Sequence, residues 1–108
     1  MENWTKEDFY AFVLLYCANA DFEESSTELD IIKNKVSRER FDEVHREFEN
    51  QNDYQHIETI KSKMKELNLT SDDIEVLIVE MRQLFFADGD YSQTEKNMMM
   101  GLKKILSL

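Results

Sequence analysis

Ala20-Asp21-Phe22-Glu23-Glu24-Ser25-Ser26-Thr27-Glu28 and Ala87-Asp88-Gly89-Asp90-Tyr91-Ser92-Gln93-Thr94-Glu95 are two versions of one segment, 67 residues apart and identical at five of nine positions. Each is an acidic turn that runs into a helix start. Ser25 with Glu28, and Ser92 with Glu95, form capping boxes, in which the serine hydroxyl accepts from an amide of the first turn and the glutamate reaches back to the cap amide. A turn that ends one helix and opens the next, repeated in register, predicts two helical hairpins.

The repeat extends outward from the turns. A capping pattern at Thr5 and Asp8 opens a helix over about 6–20, with an apolar stripe of Tyr10, Ala11, Leu14, Cys17 and Ala18. Moved by 67 positions, that stripe falls on Leu77, Ile78, Met81, Leu84 and Phe85 of a helix that Thr70 and Asp73 open. Ile31 and Ile32 after the first turn fall likewise on Met98 and Met99 after the second. Small residues in the first copy (Ala11, Cys17, Ala18) face large ones in the second (Ile78, Leu84, Phe85), the complementarity that a close-packed core requires.

Between the copies, the helix begun at Ser25 runs to about Val36. Ser37 caps a third helix with Phe41, Val44 and Phe48. Asn52 caps a fourth with Ile57, Ile60, Met64 and Leu67 in register, and Asn68-Leu69-Thr70 breaks it. The last helix carries Met98, Met99, Leu102, Ile105 and Leu106. No stretch alternates with period two for long, and the chain holds 0 Pro and 2 Gly. Sheets need many tight turns, so the expected fold is all-α: a single domain over 1–108, a bundle of about six or seven helices with pseudo-symmetric halves.

The formal charge of −10 disfavours nucleic acid and anionic lipid surfaces. Neither membrane insertion nor a secretory leader is indicated, so the expected location is cytoplasmic. Cys17 is the only cysteine and lies in an apolar run, which predicts a buried thiol. His45 and His56 lack partners at zinc-ligand spacing and read as solvated or partly packed. Phe86 lies off the apolar stripe; packing against the core is the expected state, and exposure to a partner is the alternative. No catalytic triad pattern or glycine-rich phosphate loop is present, so neither an enzyme nor an organic cofactor is expected. Metal-assisted hydrolysis would need a deep pocket beside the acids.

The chemistry points to the turns themselves. Two carboxylates about 5 Å apart repel by roughly 3 kcal/mol at an effective dielectric near 20, and a divalent cation between them reverses the sign. Oxygen-only ligands favour Ca²⁺, Mg²⁺ or Mn²⁺. The turns are not EF-hands: Gln93 stands where that loop needs glycine and Met99 where it needs a bidentate glutamate, with Ser26 and Ile32 at those places in the first copy. Capping accounts for Glu28 and Glu95. It does not account for Asp21 and Asp88, which follow helix C-termini, where negative charge is disfavoured.

Ala-Asp-Gly-x-x-x-x-x-Glu at 87–95, with its variant Ala-Asp-Phe-x-x-x-x-x-Glu at 20–28, resembles the motif of the tellurite-resistance TerB-like family. The resemblance covers most of the chain. It implies an all-helical fold with pseudo-symmetric halves, an acidic cluster that binds divalent metal, and a role in stress or tellurite response without enzymatic activity. Carried onto this sequence, the ligands are Asp21, Glu23 and Glu28 from the first copy and Asp88, Asp90 and Glu95 from the second. Phe22 replaces the motif's glycine and disfavours a left-handed turn, which makes the second copy the stronger candidate. The competing reading is an acidic helical module that meets a protein partner without metal.

Overall fold

In the computed structural model, residues 3–19, 26–87 and 93–106 are described. Their order is α1 (Lys6–Ala18), α2 (Ser26–Lys33), α3 (Arg38–Glu49), α4 (Asp53–Glu66), α5 (Ser71–Phe85) and α6 (Gln93–Leu106), with no strand among the described residues. The all-α bundle is as the sequence predicts. The radius of gyration, 12.7 Å, is close to the ~13 Å expected of a compact chain this long. No helix among the described residues is long and apolar enough to cross a membrane.

Local chemistry sets the helix starts. Thr5, Asn52 and Thr70 each accept from the third amide of their helix while Asp8, Gln55 and Asp73 return a bond to the cap amide. Ser37 caps α3 by accepting from the Arg40 amide. At the end of α4, Asn68 takes φ 55°, a left-handed turn that asparagine tolerates better than most residues. The fourth helix therefore ends where Asn68-Leu69-Thr70 breaks the pattern. Helix α2 is shorter than the expected run to Val36, ending at Lys33.

One expectation needs correction in kind. Helix α1 does not bury a stripe; ten of its thirteen residues are buried. It is the axis of the bundle, with α2, α3, α4 and α5 packed around it, and α6 closes the far side against α4 and α5. A helix that is apolar all round belongs in the middle of a core. Phe9, Phe12, Leu14 and Leu15 are all fully buried, so no face of α1 is left for solvent beyond its first turn and the half-buried Tyr16.

Polar groups lock the outer helices to this axis. The Tyr10 hydroxyl donates to the Asp73 carbonyl of α5 at 2.9 Å, and Tyr16 donates to Asp53 of α4 at 2.9 Å. Asp8 is buried and receives both Nε and Nη2 of Arg40 from α3. His56 is packed rather than solvated: it stacks on Phe48 with centroids 3.9 Å apart, and its Nε2 lies 2.7 Å from the Phe48 carbonyl oxygen. It takes the core position expected of Ile57, which is only half-buried. A histidine with its ring nitrogen bonded can occupy a core site that an unpaired polar group could not.

Candidate functional site

One glutamate from each repeat comes within electrostatic reach of the C-terminal end of α1. Glu28 lies in the first turn of α2, Glu95 in the first turn of α6, and Cys17 in the last turn of α1. The Cys17 thiol is buried, as its apolar neighbours predict. Burial first, and then the charges of Glu28 and Glu95, push its pKa well above the ordinary thiol value of 9.0. Both glutamates thus act on one sulfur, although they stand 67 positions apart in the chain. Glu28 is itself mostly withdrawn from solvent, and Glu95 is half-buried. A thiol held this way is a poor nucleophile and a poor soft-metal ligand, because both roles require the thiolate. Cys17 should therefore react with a maleimide only as fast as the fold opens; fast labelling of the native protein would contradict this burial.

Of the six residues read as ligands, Glu28 and Glu95 are brought to the same end of the bundle. Asp21, Glu23, Asp88 and Asp90 lie outside the described residues. Among the described residues, no group of three or more His, Cys, Asp or Glu side chains is placed to hold a metal ion. Helix termini explain how the known pair is held. The start of α2 and the start of α6 both present the positive end of the helix dipole, which favours carboxylates in the first turn.

A second polar feature escaped the sequence reading, which took the charge as a whole. Lys61 and Lys65 of α4 and Lys104 of α6, with Glu58 and Ser62, border an open groove of about 650 Å³ that also holds the half-buried Met64 and Ile105. The signal was available: Lys63, Lys65, Lys103 and Lys104 crowd the last turns of α4 and α6, where cations suit the dipole. What the sequence did not show is that these two helix ends lie side by side. The N-terminus of α6 therefore stands in the acidic region and its C-terminus at a basic one, separated by roughly 20 Å of helix. Compared with family models, curated proteins and solved structures, the chain matches none.

Proposed function

We propose that this protein is a small helical domain of TerB-like type that binds a divalent cation, Ca²⁺, Mg²⁺ or Mn²⁺, between its two acidic turns. The observation that supports this reading is the convergence of Glu28 and Glu95 on Cys17. Hairpins whose turns lay at opposite ends of the bundle could not share an ion, and the common influence of Glu28 and Glu95 on Cys17 supports a shared end. The ion would offset repulsion among carboxylates contributed by both copies and tie the α1–α2 hairpin to α5–α6. Its role in this reading is structural or sensory, within a cytoplasmic stress or tellurite response, with no reaction catalysed.

Thermal unfolding tests the proposal, because an ion that binds only the folded chain raises its melting temperature. At 100 times the dissociation constant the gain is about 2.7 kcal/mol, which for a domain of this size is roughly 10 °C. Millimolar Ca²⁺, Mg²⁺ or Mn²⁺ should produce a shift of this order in a chelator-treated sample. Asp88→Asn and Glu95→Gln should each remove most of it. No shift with any of the three ions, or a full shift in Asp88→Asn, would defeat the reading.

A second reading, a protein-interaction module without metal, draws support from α5. Val76 and Val79 are about half exposed on its outer face, next to Asp72 and Glu75.

A further inference from the structure

We infer that this protein associates with a second copy of itself, head to tail, by seating the outer face of α5 from one molecule in the α4–α6 groove of the next. The inference does not depend on the cation. It rests on two surfaces of opposite net charge. The first is the outer face of α5: Asp72, Val76, Val79 and Gln83 follow one another at steps of four, three and four, with Glu75 and Glu80 beside them. That spacing puts them on one helix face, and Val76 and Val79 are 51% and 50% exposed. The second is the groove between α4 and α6, lined by Met64 and Ile105, by Lys61, Lys65 and Lys104, and by Glu58 and Ser62, so that three cations face one carboxylate.

The α5 face carries carboxylates around valines. The groove carries three ammonium groups and the Glu58 carboxylate around a methionine and an isoleucine. Among the described residues, no ion pair engages Lys61, Lys65 or Lys104, nor Asp72 or Glu75. Other lysines do find partners within the chain: the exposed Lys6 pairs with Asp73 at 3.2 Å, and the half-buried Lys35 and Lys63 pair with Glu80 at 3.3 Å and Glu66 at 3.2 Å. An amphipathic helix laid in a groove between two helices is a recurrent mode of recognition, with anchors at steps of three and four. The two patches are different surfaces, so the contact is heterologous and repeats from molecule to molecule. The overall charge of −10 opposes association at long range. At 0.1 M salt the Debye length is about 10 Å, which screens that repulsion more than it screens charges in contact.

Sedimentation equilibrium in 0.1 M salt with EDTA tests the inference and excludes any bridging by metal. The weight-average mass should rise above the 12.9 kDa of one chain as the protein is concentrated, and should fall back in 1 M salt. Lys61→Glu with Lys65→Glu in one chain, and Asp72→Lys with Glu75→Lys in another, should each weaken self-association more than tenfold, since like charges then face each other. All four positions are exposed, and circular dichroism would verify that each variant keeps its helices. Mixing the two variants should restore association, because each reversed surface now meets its complement. A wild-type mass of 12.9 kDa at every concentration, or variants that associate as wild type does, would overturn the inference. So would a mixture that stays monomeric while the wild type associates. Monomeric wild type that binds poly-glutamate through Lys61 and Lys65 would assign the groove to an acidic segment of another protein, which also overturns it.

Discussion

Phe12→Ala should destabilise the protein by about 3–5 kcal/mol, the cost of losing a large buried aromatic side chain and leaving a partly unfilled cavity. Phe12 is fully buried near the middle of α1. Its ring lies 5.2 Å from Trp4, 5.5 Å from Phe48 of α3 and 5.8 Å from His56 of α4, centroid to centroid. The contacts with Phe48 and His56 are edge-on, a favoured geometry for aromatic quadrupoles. Removing the ring therefore loosens three other segments of chain at once. The surrounding core cannot collapse readily onto α1, because that helix is already enclosed on every side. Domains of this size have a total stability of about 5–15 kcal/mol, so the loss takes a large share of it. Urea titration followed by circular dichroism measures the effect: the midpoint should fall steeply with the slope preserved. A midpoint within experimental scatter of wild type would mean that α1 is not the axis of the core.

Asp8→Asn should cost about 2 kcal/mol and should also reduce the loss of stability in acid. Asp8 is 1% exposed, and its carboxylate receives the Thr5 amide at 2.8 Å and the guanidinium of Arg40. Breaking a buried pair typically costs 3–5 kcal/mol; here Arg40 is 34% exposed and can return to water, which lowers the figure. Burial pushes the Asp8 pKa up, but the bonds from Arg40 and Thr5 outweigh it, and the net effect is a pKa below the ordinary 3.8. A carboxyl whose folded pKa lies below its unfolded one contributes stability that is complete above the unfolded value. That contribution is lost as pH falls through the folded value. Asp73 is shifted in the same direction, by its bond from the Thr70 amide and by Lys6. Wild-type stability should thus decline below about pH 4, and the decline should be shallower in Asp8→Asn. Equal acid slopes in the two proteins would show that this pair does not control the transition.

These two residues mark where reading a sequence succeeds and where it stops. Asp8 was legible as the third residue of a capping box, since Thr5 and Asp8 need only each other and one turn of backbone. Its bond to Arg40, 32 positions away, was not. His56 shows the same limit. It lies between Gln55 and the apolar Ile57, and nothing local reveals that the Phe48 carbonyl would receive its ring nitrogen and admit it to the core. Ile57 lost the buried position for that reason, although it is the more apolar residue. The spacing of Tyr10, Ala11, Leu14, Cys17 and Ala18 suits one stripe of an amphipathic helix, yet the apolar run from Phe9 to Ala18 has no polar break. Its continuity was the better signal, since a helix with no polar face has nowhere to go but the centre.

The candidate site divides in the same way. The duplicated acidic turns were read from spacing alone. That Glu28 and Glu95 act on the same thiol depends on how the hairpins pack. The basic groove depends on it as well, because lysines in the last turns of two separate helices make a surface only when those helices end together.

By itself, then, the order of residues determined the helices, their caps and the repeated hairpins, because capping bonds and apolar spacing act within a few residues of chain. Only tertiary structure decided which helix became the axis, which polar groups went inside with it and which charged ends became neighbours. Those outcomes follow from close packing and from the need to pair every buried polar atom, and both act between segments that the chain itself keeps far apart.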